Sequence, residues 1–305
     1  MNNKIIIGTR GSNLSLAYAN KVKDLISLTK QLDNHEISIK TIKTSGDIYA
    51  EKKISEIGGK NLFCKEIEKQ LLEKKIDIAV HSLKDMDSSE EKKLIIQAYI
   101  KRNDPRDVLV LNDKKNFDGL DNFTIGSSSR RRELQLKILN KNINIKNIRG
   151  NIDTRIKKIM QGEYDGAVLA LAGIKTLKLE KYVNKIFEVD KLLPAAGQGI
   201  IAAQCRNSDE DIKKILEKIN DEDTKICALA ERSLLKSVGG DCDTALGTLA
   251  TLENDDIKIK AQLFSDDGKK NYIINKTGKK NNPEILGKIA GEELLKISGE
   301  NYKKK

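Results

Sequence analysis

The sequence has little that would support metal, redox or nucleic-acid chemistry. Aromatic residues are 4% of its 305 residues and tryptophan is absent, so the stacking surfaces typical of single-strand binders are scarce. The four cysteines are widely scattered, and with two histidines they form no recognisable zinc spacing or disulfide framework. We therefore expect no metal site.

Long apolar runs are also missing. No stretch approaches the roughly 18 to 20 apolar residues that span a bilayer. Met1 is followed within a few residues by the strand-like run Ile5 to Ile7, which does not look like a secretory signal. We expect a cytoplasmic protein with no membrane partner.

Positive charge is in excess, with 56 lysines and arginines against 45 acidic residues and a formal charge of +11. Such a charge attracts nucleic acids, membranes or polyanionic small molecules. Much of it is lysine on predicted helix faces and in the tail from Lys303 to Lys305. Nucleic-acid binding would rest on net charge alone, and we expect none.

Strand-like and helical patterns alternate along the chain, which is typical of an α/β fold. One series runs from Lys4 to Ser82 and a second from Asp107 to Leu171, each like a doubly wound unit, and a small three-stranded α/β unit follows from Ala245. We predict domain 1 at 1–99 with 200–219, domain 2 at 100–199 and domain 3 at 220–305.

Four turns between a predicted strand and a helix carry arginine, lysine or hydroxyl residues. They are Gly8 to Ser12, Gly58 to Asn61, Gly126 to Arg132 and Arg149 to Arg155. One interpretation is ordinary helix capping by Ser or Asn with solvated arginines nearby. The other is an anion site, since helix N-termini favour anions and such turns can converge on one crevice. A guanidinium group can bind a carboxylate through two parallel hydrogen bonds, so several arginines suit a ligand with several carboxylates.

A buried-type strand, Ile76 to Ser82, ends abruptly at Lys84 and Asp85. The segment alone fits either a strand cap with a surface ion pair or an ionised carboxylate held near cations for proton transfer. His81 lies inside the strand, and we expect a hydrogen-bonded structural histidine.

Nine short motifs then occur in the order known from one enzyme family. They are Thr9-Arg10-x-Ser12-x-Leu14, Thr44-x-Gly46-Asp47, Gly58-Gly59-Lys60-x-Leu62-Phe63, Val80-His81-Ser82-Leu83-Lys84-Asp85, Asp104-Pro105-Arg106-Asp107, Gly126-Ser127-Ser128-Ser129-x-Arg131-Arg132, Arg149-Gly150-Asn151, Leu193-Pro194-Ala195-Ala196-Gly197-Gln198-Gly199 and Ala230-Glu231-Arg232. From about residue 4 to 300 the chain resembles porphobilinogen deaminase, also called hydroxymethylbilane synthase.

The resemblance implies two domains like periplasmic binding proteins and a small third domain. It also implies a transferase that condenses four porphobilinogen molecules head to tail, releasing ammonia, on a dipyrromethane cofactor bound through a cysteine thioether. The matching cysteine is Cys242, in a Gly/Asp turn. The expected partners are porphobilinogen and the growing oligopyrrole, and we expect a monomer.

The resemblance also assigns roles to residues. Asp85 stabilises the cation left when ammonia departs and assists proton transfer, with Lys84 beside it. The expected cofactor-binding residues are Cys242, Lys84, Asp85, Ser127, Ser129, Arg131 and Arg132. The expected substrate-binding residues are Arg10, Ser12, Phe63, Arg149, Arg155 and Gln198. The segment from Ile48 to Lys60 is expected to be a lid.

Five positions depart from the usual family pattern: Glu56, Asp87, Arg130, Thr176 and Asp241. Thr176 stands where an arginine often binds a substrate carboxylate, so that contact is in doubt. The alternative function is a non-catalytic relative of periplasmic binding proteins that captures an anionic small molecule. A third domain bearing Cys242 is a feature that such a two-lobed binder does not need.

Overall fold

The computed structural model describes residues 4–29, 36–48, 64–89, 91–112, 121–240 and 244–299. In chain order its helices and strands are β1 Lys4–Thr9, α1 Asn13–Ser27, β2 Glu36–Thr41, α2 Ser45–Ile48, α3 Lys65–Leu72, β3 Ile78–Ser82, β4 Leu94–Ile100, β5 Asp107–Leu111, β6 Thr124–Gly126, α4 Arg130–Leu139, β7 Asn144–Lys146, α5 Ile152–Met160, β8 Gly166–Ala170, α6 Leu171–Thr176, β9 Lys185–Ile186, β10 Ile201–Arg206, α7 Glu210–Glu217, α8 Glu222–Ser237, β11 Leu246–Glu253, β12 Asp256–Phe264, β13 Asn271–Lys279 and α9 Pro283–Ser298.

The first sheet has the strand order β2-β1-β3-β10-β4. Strands β2, β1 and β3 are parallel, and β10 runs antiparallel to both β3 and β4. Helices α1 and α7 cover one face, where Val22, Ile26 and Leu216 join the core. Helix α3 covers the other face through Ile67 and Leu71, so the sheet is buried on both sides.

The second sheet repeats this plan with the order β7-β6-β8-β5-β9. Strands β7, β6 and β8 are parallel, and β5 runs antiparallel to β8 and β9. Ile156 and Ile159 of α5 pack on one face, and Leu136 of α4 packs on the other. A helix layer on each face explains why β5 and β8 are nearly continuous apolar runs.

The third sheet is an antiparallel meander of β11, β12 and β13. Helix α9 packs on it, since Leu286 approaches Gly278 of β13. The α/β class, with two doubly wound sheets and a small three-stranded C-terminal unit, is therefore confirmed.

The chain divides into two compact units. One comprises Met1–Asn103 with Gly199–Ala228, and the other Asp104–Gln198 with Leu229–Lys305. The first unit contains the first sheet, and the second unit contains the other two sheets. No helix within the described ranges is long and apolar enough to cross a membrane.

Candidate functional site

Asp85 lies at the end of a 3-10 turn, Leu83–Asp85, which directly follows β3. The turn is fixed because Leu83 N donates to Ile200 O at 3.0 Å and Met86 N donates to Leu83 O at 3.1 Å. The Asp85 side chain is half-buried. Its carboxylate forms no hydrogen bond or ion pair with the described part of the chain.

Arg10 and Ser12 lie at the same edge of the first sheet as Asp85. They follow β1, which is parallel to β3 with Gly8 opposite Ala79, and the carboxyl ends of parallel strands meet at one edge. Ser12 caps α1, because its hydroxyl accepts a hydrogen bond from Ser15 N at 3.2 Å. The Arg10 side chain is half-buried.

His81 is buried in the middle of this sheet, and burial lowers its pKa to about 4, so the ring is neutral. Gln204 of β10 lies beside it. The Nε2 atom of His81 and the Oε1 atom of Gln204 are both buried without a hydrogen-bond partner. A buried, neutral ring fits the structural role that we expect for His81, and that role stays a prediction.

Ser127 and Ser129 shape the turn between β6 and α4 in the second sheet. The Ser127 hydroxyl accepts a hydrogen bond from Ser129 N at 3.2 Å. The Ser129 hydroxyl accepts one from Arg132 N at 3.5 Å and caps α4. The capping interpretation is therefore right for the serine at this turn.

The two arginines that follow are not solvated. Arg131 and Arg132 are 4% and 7% exposed, and both donate to the carboxylate of Asp107. Arg131 Nη1 lies 2.8 Å from Asp107 Oδ2, and Arg132 Nη2 lies 2.7 Å from Asp107 Oδ1. Arg131 Nη1 also donates to Leu193 O at 2.6 Å, and Arg132 Nη1 donates to Val168 O at 3.0 Å.

Asp107 stays ionised in this cluster. Burial alone would raise its pKa, but the two guanidinium groups outweigh burial and hold the pKa below the ordinary value of an aspartate. Burial also lowers the pKa of Arg131, although Asp107 opposes that shift. The cluster therefore holds two buried cations against one buried anion.

Gln198 belongs to the same cluster. Its side chain is fully buried, and Nε2 donates to Asp107 Oδ1 at 2.8 Å and to Pro105 O at 2.6 Å. The neighbouring Gly197 N donates to the buried carboxylate of Glu231 at 2.7 Å. The segment from Leu193 to Gln198 is thus attached by its backbone and by one side chain to the arginine cluster.

Arg149 and Arg155 flank the start of α5, after β7. Arg149 is half-buried, and its Nε atom is buried without a hydrogen-bond partner. Arg155 Nε donates to Gly150 O at 2.8 Å. Gly150 has φ +107°, a conformation that favours glycine, and a Cβ there would lie 2.8 Å from Thr154.

Cys242, Phe63 and the lid segment beyond Ile48, with its Glu56, lie outside the described residues, as does Asp241. The other three cysteines, Cys64, Cys205 and Cys227, are buried, as expected for core residues. Burial raises the pKa of Cys205 to about 12, so that thiol is a poor nucleophile.

The described departures from the family pattern have local partners. The Thr176 hydroxyl donates to Ala172 O of its own helix at 2.8 Å. Arg130 pairs with Glu133 at 2.9 Å and donates to Asp266 O at 3.3 Å. Asp87 Oδ1 accepts a hydrogen bond from Ser89 N at 3.3 Å. In this structure Thr176 supplies no cation where the family often has an arginine.

Asp107 belongs to the arginine cluster, although the sequence predicts no role for it. It begins β5, an antiparallel strand, and Asp107 is opposite Ala170 at the end of β8. Because β5 runs antiparallel to β8, the start of β5 lies beside the carboxyl end of β8. Arg131 and Arg132 lie at the same edge of the sheet. A charged residue that opens the buried run Val108 to Leu111 was the available signal.

The described residues form an α/β protein in which each of the two doubly wound sheets carries guanidinium groups at its strand ends, and guanidinium groups suit carboxylate ligands. Residues 5–214 match the family model described as "Porphobilinogen deaminase, dipyromethane cofactor binding domain". Residues 225–296 match "Porphobilinogen deaminase, C-terminal domain". The chain belongs to the porphobilinogen deaminase family.

Curated relatives agree with this assignment over nearly the whole chain. The porphobilinogen deaminase of Syntrophomonas wolfei is 39% identical over 294 residues, which are 96% of this chain and 95% of that protein. The porphobilinogen deaminase of Acetivibrio thermocellus is 40% identical over 296 residues, 96% of this chain and 98% of that protein. The chain is therefore a transferase, a hydroxymethylbilane synthase, and the predicted dipyrromethane cofactor is confirmed.

Among solved structures, the chain is similar to the periplasmic VFT2 domain of BvgS from Bordetella pertussis. The identity is 14%, the match covers 71% of this chain and 86% of that one, and the TM-score is 0.43. The fold class is supported by this chain's own two five-stranded sheets, which have the same strand order and the same strand directions.

Proposed function

We propose that this chain condenses porphobilinogen with Asp85 as its central acidic group. The observation that carries the proposal is the half-buried Asp85 carboxylate, which has no partner among the described residues. A carboxylate held in this way can stabilise the cation that forms when ammonia leaves the substrate, and it can accept or return a proton. Lys84, the preceding residue of the same turn, is proposed to act with it.

The arginines are proposed to bind carboxylates. Arg131 uses only Nη1 for protein acceptors, so its Nε and Nη2 atoms form an unpartnered edge, and Nε is buried. The Nε atoms of Arg132 and Arg149 are also buried without partners. A buried donor without an acceptor is costly, and a bound carboxylate would satisfy it.

These unpartnered donors fit a dipyrromethane that carries acetate and propionate side chains. When bound, the dipyrromethane supplies the primer to which pyrrole units are added. We propose that Cys242 holds it covalently, and that Lys84, Asp85, Ser127, Ser129, Arg131 and Arg132 orient it. Ser127 and Ser129 contribute by fixing the turn from which the arginine side chains start.

The incoming substrate is proposed to meet Arg10, Ser12, Phe63, Arg149, Arg155 and Gln198. Gln198 is fully buried and donates to Asp107 and Pro105. Its part in this proposal is therefore to hold the segment that precedes Gly199. We also propose a cytoplasmic monomer that binds neither nucleic acid nor membrane, with domains at 1–99 plus 200–219, 100–199 and 220–305.

Intact mass and turnover of the purified chain test this function. The protein should exceed its sequence mass by one dipyrromethane unit. Incubation with porphobilinogen should consume it and yield uroporphyrin after oxidation of the product. A non-catalytic binding protein would instead bind porphobilinogen without consuming it and would have the bare sequence mass, and that result would refute the proposal.

A further inference from the structure

The side chains of Asp107, Arg131, Arg132 and Gln198 form one hydrogen-bonded cluster with Asp107 at its centre. Asp107 is 0% exposed and accepts hydrogen bonds from all three other side chains. Its two oxygens are divided between the arginines, Oδ2 for Arg131 and Oδ1 for Arg132. Each arginine also donates to a separate backbone carbonyl, Leu193 O or Val168 O.

This division determines which edge of each guanidinium is available. Arg131 is held at Nη1, which leaves the Nε and Nη2 edge, the geometry that binds a carboxylate through two parallel hydrogen bonds. Arg132 is held at both Nη atoms, which leaves Nε alone. Without Asp107 each guanidinium would keep only its bond to one backbone carbonyl, and it could rotate about that single bond.

The charge balance points the same way. One carboxylate beside two buried guanidinium groups leaves one positive charge uncompensated by direct contact. If protein carboxylates neutralised both guanidinium charges, the cluster would attract an anion only weakly. If they neutralised neither charge, the burial of two cations would strongly destabilise the folded state. Asp107 offsets one of these charges and leaves the other for a ligand.

We propose that Asp107 is a positioning residue, which fixes the guanidinium edges that Arg131 and Arg132 present to the carboxylates of the cofactor. This inference rests on the proposed function above, and it adds a residue that touches neither cofactor nor substrate. Gln198 supports Asp107 through Oδ1, so the segment Leu193 to Gln198 and the arginine pair are set by one carboxylate.

The test is a double-mutant cycle on the full chain with Asp107→Asn, Arg131→Gln and the double variant. The first readout is the fraction of molecules that carry the dipyrromethane mass, and the second is kcat and KM per loaded molecule. We expect Asp107→Asn to lower the loaded fraction or kcat/KM roughly five- to hundredfold. In the double variant Asp107→Asn should cost less than it does in the wild type, because Asp107 then acts through Arg132 alone.

Asp104→Asn is the matched control in the same motif. Asp104 pairs with Arg106 at 2.9 Å and with Lys175 at 3.4 Å, outside the arginine cluster. This variant should keep the wild-type loaded fraction and kinetics. A purely structural role for Asp107 predicts a lower melting temperature for Asp107→Asn with unchanged loading and kinetics, and that outcome would overturn the inference.

If Asp107→Asn does not fold, the same cycle can be run in the Arg132→Gln background. There Asp107→Asn leaves a single buried cation at the cluster, the same net charge as in the wild type. Independent, multiplicative losses from Asp107→Asn and Arg131→Gln in that background would overturn the inference. A wild-type chain that neither carries the added mass nor consumes porphobilinogen would refute the proposed function instead.

Discussion

The side-chain amide of Gln135 pairs with both backbone groups of Leu193. Nε2 donates to Leu193 O at 2.9 Å, and Oε1 accepts from Leu193 N at 2.6 Å. Gln135 is one helical turn after Arg131 on α4 and is 2% exposed. Because Leu193 O also accepts from Arg131 Nη1, this amide holds the carbonyl that helps to fix the arginine.

Gln135→Met should therefore destabilise the fold by about 2 to 4 kcal/mol, since it leaves a buried N–H without an acceptor and weakens the pairing of a buried carbonyl. Urea unfolding of wild type and variant measures the difference. Gln161→Met, at an exposed position after α5, is the control and should change stability by less than about 0.5 kcal/mol. Equal effects of the two substitutions would contradict this account of Gln135.

Asp85→Asn should keep the fold and lose turnover. The amide has nearly the same shape but no negative charge for the cation formed on loss of ammonia, so kcat should fall by about a hundredfold or more. Porphobilinogen consumption and a thermal melt measure the two effects. Asp87→Asn, two residues later, removes the same charge from a carboxylate bonded to Ser89 N. If both variants lost activity equally, Asp85 would have no special role.

The fold class and the strand ends that carry the arginines could be predicted from the sequence, but strands β4 and β10 could not. Strand β10 is buried at every position, including Gln204 and Arg206, so it shows no alternation of apolar and polar residues. Arg206 is accommodated because it donates to Leu71 O, Ile76 O and Asp77. These partners are distant in the sequence. From the sequence alone, Arg206 therefore indicates a loop and not a buried strand.

The candidate site was predictable where residues are consecutive and not where they are distant. Ser12 and Ser129 were identified because capping is local. The burial of Arg131 and Arg132 depends on Asp107, 24 and 25 residues earlier in the chain. The pairing of β8 with both β5 and β6 brings that carboxylate to the arginines, and no local pattern encodes this pairing.

Cys242→Ser should give a folded protein without the dipyrromethane mass and without turnover. A serine hydroxyl is a weaker nucleophile than a thiol, and we propose no other covalent anchor. Intact mass and porphobilinogen consumption are the measurements. Cys227→Ala is the control: it changes a buried cysteine and should keep the added mass. Finding that mass on Cys64, Cys205 or Cys227 in the serine variant would refute the assignment of Cys242.

His81 should make the folded chain sensitive to mild acid. Its pKa is lowered from 6.5 to about 4 by burial, so between these values the unfolded chain binds a proton that the folded chain does not. Stability from this group is therefore fully present above pH 6.5 and is lost as the pH falls toward 4. The loss by pH ~4.5 is about 2 to 3 kcal/mol.

His81→Gln isolates this contribution, since glutamine does not titrate. Urea unfolding of both proteins at pH ~7 and ~4.5 should show a smaller drop for the variant, by about 2 to 3 kcal/mol. Carboxylates such as Asp104, whose pKa is lowered to about 2 mainly by Arg106, affect both proteins alike. An equal drop in the two proteins would show that His81 does not titrate as its burial implies.

Arg149→Gln should reduce kcat/KM without loss of stability. The Arg149 Nε atom is buried and has no hydrogen-bond partner, so removing the guanidinium breaks no described interaction and removes a desolvated charge. If Arg149 binds a substrate carboxylate, its loss costs about 1 to 3 kcal/mol, roughly a five- to hundredfold drop in kcat/KM. Lys157→Gln removes one positive charge from the exposed face of α5 nearby and is the matched control. If this control lowered kcat/KM as much as Arg149→Gln does, Arg149 would act only as one of many positive charges that attract the substrate.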